Sequence, residues 1–135
     1  MRDEEFLKLA IKEAGKAKSE HKFGAVVVLD GKVIAKDHNR AWEKNDPSAH
    51  AEVCAIRNST KKLGTHNIEG ATLYGSHEPC IMCFSCAVWS GFARIVFANR
   101  ADENTHDSYE FTGLSLEDIA KKLNRKVKIE YIDLI

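Results

Sequence analysis

A three-layer α/β/α sandwich around a central five-stranded mixed sheet is the fold class this sequence predicts, on three observations. Apolar, partly β-branched runs of strand length alternate with segments of helical period along the chain. The first two runs are separated only by Asp30-Gly31, a dipeptide suited to a tight hairpin turn. Later runs are each separated by a helical segment, which lays strands parallel and covers both faces of a sheet. A single domain over residues 1–135 is expected, and a chain of 135 residues buries roughly two-thirds of its unfolded surface.

Each element follows from its pattern. Between about Glu4 and Lys18, Leu7, Ala10, Ile11, Ala14 and Ala17 recur at helical spacing and predict a packing helix. Phe23 to Leu29 reads as a buried strand and Lys32 to Lys36 as its return. Asp37 to Asp46 is polar and irregular, a loop that delivers the chain to a helix from His50 to about Leu63, ended by Gly64. Ala71 to Tyr74 is a third strand. A helix then runs from Cys80 to about Ser90 with Gly91 as its stop, and Ala93 to Ala98 is a fourth strand. Asn99 to Gly113 is a long polar stretch of the kind that shapes binding sites. Leu116 to Leu123 predicts a last helix and Val127 to Ile132 a last strand. No repeat, low-complexity segment or linker interrupts this order.

Lysine and arginine total 20, as do aspartate and glutamate, so no global basic field draws in nucleic acid or a membrane. The cluster Lys121, Lys122, Arg125, Lys126 and Lys128 reads as a solvated helix face and turn. The start Met1-Arg2-Asp3-Glu4-Glu5 has no apolar signal region, so no signal peptide is expected, and no run is long enough to cross a bilayer. A cytoplasmic location follows as the expectation, and there a Cys-x-x-Cys is more often a metal or redox pair than half of a disulfide framework.

Glu78-Pro79-Cys80-Ile81-Met82-Cys83, read with His50-Ala51-Glu52, carries the chemistry. Cysteines three apart share one face of a helical turn, so their thiolates converge on one soft ion. The imidazole of His50 makes a third ligand of a type zinc accepts. The chain's two prolines, Pro47 and Pro79, each precede a ligand candidate. Proline favours the first helical position, and Asp46 and Glu78 suit the helix start. Two helices that both begin at the site are therefore expected, with their positive ends aimed at it.

Three ligands leave a fourth position open, as in catalytic zinc sites. Cys86 lies roughly 9 Å beyond Cys80 along a helix, too far to share the ion, and reads as a small buried hydrophobe. His66, His77 and Cys54 are weaker candidates for a fourth ligand. His50 and Glu52 share a site only if their helix approaches end-on with both in its first turn. Glu52 is then free to move protons, beside an ion that lowers the pKa of bound water towards neutrality. Alone, Glu52 would read as a first-turn carboxylate that complements the helix dipole. Together, the set suits hydrolysis at an amidine-like ring carbon with release of ammonia.

His-x-Glu followed by Pro-Cys-x-x-Cys is the signature of zinc deaminases. From Phe23 to about Ala98 the chain resembles the cytidine deaminase superfamily. Asn45-Asp46-Pro47-Ser48-Ala49-His50-Ala51-Glu52-Val53 and Glu78-Pro79-Cys80-Ile81-Met82-Cys83 look like its purine-type branch, which contains guanine deaminases and tRNA adenosine deaminases. The resemblance implies zinc on His50, Cys80 and Cys83, Glu52 as proton shuttle, and a homodimer or larger assembly. It also implies substrate contacts from Phe23, Asn39 and Ala51. Trp89, and Asp107 within His106-Asp107-Ser108-Tyr109, resemble guanine deaminases, and that resemblance implies both as substrate contacts, with Asp107 reading or protonating the ring. His77 and Phe84-Ser85-Cys86 depart from that pattern.

A guanine-like free base is accordingly the first expectation for the substrate, favoured over tRNA by the balanced charge. The alternative is deamination of adenosine to inosine in tRNA, or of a nucleoside, isocytosine or cytosine. A non-catalytic zinc module is the reading from another class, and it requires a fourth protein ligand.

Overall fold

The computed structural model describes residues 2–101, 109–111 and 113–134. In chain order the elements are α1 (Asp3–Ala14), β1 (Gly24–Leu29), β2 (Lys32–His38), α2 (Ala41–Lys44), α3 (Ala51–Leu63), β3 (Thr72–Gly75), α4 (Ile81–Trp89), β4 (Arg94–Phe97), α5 (Leu116–Ala120) and β5 (Lys128–Tyr131). The strands form one five-stranded mixed sheet in the order β2-β1-β3-β4-β5. β1 runs antiparallel to both β2 and β3, while β3, β4 and β5 are mutually parallel.

The hairpin turns as its sequence demands. Asp30 and Gly31 both take positive φ, 52° and 75°, the conformation whose twist matches that of the flanking strands. One extra residue of β2, Ile34, is accommodated where the register shifts between Val27 and Val28.

Period-two alternation divides the sheet's side chains between two cores. Val26, Val28, Tyr74 and Val96 face Phe6, Leu7 and Ala10 of α1. Ala25, Val27, Leu73, Ile95 and Phe97 face α3, α4 and α5. The predicted three layers are thus α1, the sheet, and the remaining packed helices. Phe84, Phe92 and Phe97 are among the largest fully buried side chains, and each contributes about 1.5–3 kcal/mol of burial. This packing anchors α4 rigidly from Phe84 onward. Gly24 brings β1 against α1, since a Cβ there would sit 2.1 Å from the Ala10 carbonyl oxygen.

Some expected boundaries move. β2 continues to His38, and the polar loop after it contains the single turn of α2. α1 stops at Ala14 and α5 at Ala120, each short of its predicted end. The Ser115 hydroxyl caps α5 by accepting the Asp118 N–H at 3.1 Å. Among the described residues, no helix is long and apolar enough to cross a membrane.

Candidate active site

The N-termini of α3 and α4 meet at one end of the sheet, beyond the carboxyl end of β3, the usual place for a site in an open α/β sheet. His50 is the residue immediately before α3 and Cys80 the residue immediately before α4, both in extended conformation. Their side chains therefore leave from helix ends, where peptide N–H groups concentrate positive potential. Cys83 sits one turn into α4 and is fully buried, and Glu52 lies in the first turn of α3 with 5% exposure. This is the end-on approach that the His50–Glu52 spacing requires.

The two prolines mark these helix starts for a different reason than their helix preference suggests. Pro47 lies in a turn and Pro79 just before Cys80, neither at a first helical position. Asp46 accepts both the backbone N–H of Ser48 at 2.9 Å and its hydroxyl at 2.7 Å, an Asx turn and not a helix cap. Glu78 turns its carboxylate away from α4 to accept the Ala101 N–H at 3.0 Å, with Arg100 3.6 Å away. At Gly75 a Cβ would come within 2.7 Å of the His77 carbonyl oxygen, so only glycine permits the tight exit from β3 that delivers Cys80.

The three ligand candidates converge. His50 Nδ1 lies 3.5 Å from Cys80 Sγ and 3.5 Å from Cys83 Sγ, and the two sulfurs are 3.6 Å apart. Tetrahedral zinc, with sulfur near 2.3 Å and nitrogen near 2.0–2.1 Å, spaces its donors by roughly 3.5–3.8 Å. The donor set and its spacing therefore fit zinc. Among the described residues, no further histidine, cysteine or carboxylate joins this group.

Of the weaker fourth-ligand candidates, Cys54 is buried away from the group and His66 is exposed. The Ser76 hydroxyl accepts the Gly24 N–H at 2.9 Å and pairs with His77 Nδ1 at 2.8 Å. The His77 ring packs on Phe23 at 4.4 Å, and burial pushes its pKa down. Cys86 is half-buried against the core, as its spacing from Cys80 suggested.

Electrostatics suit a site that holds a cation and moves protons. Hydrogen bonding from Cys83, and then from His50, pulls the Cys80 thiol down to about 4 against the opposing cost of burial. The same pairing with Cys80, together with burial, drives the Cys83 thiol upward. Hydrogen bonding to Cys80 raises His50. Burial pushes the Glu52 carboxyl up to about 7, the range in which a group both takes and returns a proton near neutrality.

An open cleft of about 700 Å³ leads from this centre to solvent, with His50 and Cys80 at its base. Phe23 and Asn39 line it. The Asn39 amide has structural partners: its NH2 donates to the His21 carbonyl at 3.1 Å and its oxygen accepts the Ala41 N–H at 3.1 Å. Among the described residues the second amide hydrogen has no partner. Ala51 is fully buried at the head of α3, between His50 and Glu52.

Trp89 stays outside the cleft of its own chain. It ends α4, about 12 Å along the axis from Ile81, and is 84% exposed. Asp107 lies outside the described residues. The cleft also takes in Trp42, His21, Met82, Tyr109 and Phe111, none chosen as a site residue from sequence. A lone tryptophan in an otherwise polar loop was the available signal for Trp42.

The cytidine and deoxycytidylate deaminase zinc-binding region matches residues 1–99. The tRNA-specific adenosine deaminase of Aquifex aeolicus is 39% identical over 99% of this chain and 87% of its own length. The guanine deaminase of Bacillus subtilis is 42% identical over 73% of this chain, which spans 65% of that enzyme. Among solved structures, a tRNA:A34 deaminase active in A-to-I editing at the wobble position superposes with a TM-score of 0.81 and 30% identity, covering 96% of this chain and 98% of that one. The chain belongs to the cytidine and deoxycytidylate deaminase family of zinc-dependent hydrolytic deaminases.

Proposed function

We propose that the chain deaminates an adenine held within tRNA to hypoxanthine, with His50, Cys80 and Cys83 holding zinc and Glu52 moving the protons. The observation that carries this reading is the correspondence with a tRNA-specific adenosine deaminase along nearly the whole of both chains. Sequence patterns put a free guanine-like base first; the extent of this match reverses that order.

When bound, zinc supplies a Lewis acid that makes water nucleophilic near neutral pH. The cleft seats the base between Phe23 and Asn39 so that C6 faces the base of the cleft. Water oxygen adds to C6 and the C6–N6 bond breaks. Glu52 carries one proton from the water to N1 and a second to the departing amine, which leaves as ammonia. Its burial keeps bulk water from short-circuiting these transfers.

Free guanine is the second reading, favoured by the 42% identity to a guanine deaminase. Inosine formed in an anticodon stem–loop RNA, without comparable ammonia release from guanine, supports the first reading; the reverse supports the second. We also infer self-association through α4, which carries no charge and exposes Trp89 at its end, beyond the cleft that Met82 lines. Sedimentation at micromolar concentration tests this, a monomer being the contrary result.

A further inference from the structure

The mouth of the cleft carries an aromatic step that the chemistry at its base does not use. Trp42 is 68% exposed, an uncommon state for the most apolar-surfaced side chain in the loop. Its indole lies nearly parallel to the His21 imidazole, at 8° with centroids 6.1 Å apart, and both rings line the cleft. The step is rigidly built. Asn39 ties its two halves together, donating to the carbonyl of His21 and accepting from the N–H of Ala41 beside Trp42. The Arg40 N–H reaches the Ala49 carbonyl at 2.9 Å, which fixes the turn bearing Trp42 to the residue before His50. The same amide that faces the pocket therefore sets the step's register relative to the zinc ligands.

A cleft of about 700 Å³ has room for more than one purine ring. Exposed Lys44 stands two residues from Trp42 and offers a cation to a phosphate backbone, while the ammonium of Lys22, beside His21, donates to the Ala17 carbonyl. Every base has a π-face, so a step of this kind suits stacking by any base.

We propose that Trp42, backed by His21, is a stacking platform for the base next to the target nucleotide in a single-stranded RNA loop. This rests on the reading that the target base is held in RNA. Trp42 belongs to binding, not to the reacting atoms, so its loss acts on KM more than on kcat.

Two measurements on the zinc-loaded protein test it. In a Trp89→Phe background Trp42 is the remaining tryptophan, and its fluorescence is titrated with an anticodon hairpin whose target adenine is replaced by purine, which lacks the leaving amine. Saturable quenching is expected. In parallel, Trp42→Ala raises KM for the adenine hairpin by about 5- to 150-fold with kcat changed far less, and Trp42→Phe restores most of the loss. Absent quenching, or an unaltered KM in Trp42→Ala while the hairpin is still deaminated, overturns the platform and leaves the proposed function standing. Quenching without any inosine from the adenine hairpin overturns the proposed function, and with it the assignment of Trp42 to a base beside the target. Neither quenching nor inosine overturns both.

Discussion

The backbone carbonyl of Glu78 accepts the hydroxyl of Tyr109 at 2.6 Å. The carboxylate of the same Glu78 accepts the Ala101 N–H, so one residue beside Pro79 and Cys80 tethers both arms of the stretch after β4. Tyr109 in turn forms part of the cleft wall, 6.4 Å from the Phe23 ring. Tyr109→Phe removes the tether and keeps the ring. A hydrogen bond of this kind is worth about 0.5–1.5 kcal/mol, so KM rises roughly 2- to 12-fold with little change in kcat. Steady-state kinetics check this.

Gly24→Ala tests the docking of α1 on the sheet. The new Cβ would meet the Ala10 carbonyl oxygen at 2.1 Å and the Ala14 nitrogen at 2.4 Å, both backbone atoms that cannot rotate aside. The expected cost lies at the upper end for overpacking, about 3 kcal/mol, read as a lowered denaturant midpoint.

Acid sensitivity is expected at the start of α1. Asp3 accepts the Tyr74 hydroxyl at 2.6 Å and the Arg94 guanidinium at 2.8 Å. The Arg94 hydrogen bond first, then Tyr74, holds the Asp3 carboxyl below its ordinary 3.8 against the cost of burial. Because the folded value is the lower one, the stabilisation is complete above that ordinary value and disappears as pH falls through the folded value. Partial exposure limits it to about 1 kcal/mol or less. Asp3→Asn therefore lowers the melting temperature by roughly 2–5 °C at pH 7 and by progressively less below pH 4.

Metal removal has a structural signature. His50, Cys80 and Cys83 join the starts of α3 and α4, so a chelator lowers the melting temperature by several degrees and added zinc restores it. Cys83→Ala abolishes this response, as calorimetry with and without chelator shows.

Much of this was legible in the sequence because it is local. The Asp30-Gly31 turn, the Gly64 stop and the convergence of Cys80 with Cys83 each follow from a few adjacent residues. Strand order is not local: that β1 sits between β2 and β3 depends on which face Val26 and Val27 find to bury, and no short pattern states it. Pro47 marked a helix start correctly through an Asx turn that neither its helix preference nor its spacing reveals. Trp42 escaped notice because one turn of helix in a polar loop has no periodicity to read. Trp89 lies at the far end of α4, outside the cleft of its own chain, a placement that its spacing from Cys83 does not state.

The most direct test of the central claim is the turnover of Glu52→Gln per bound zinc. The substitution removes the proton carrier and preserves the size and site of the side chain. Zinc content is expected to match the native protein, with deamination reduced by about 10²–10⁴-fold. Native turnover in a zinc-loaded Glu52→Gln protein would contradict the account.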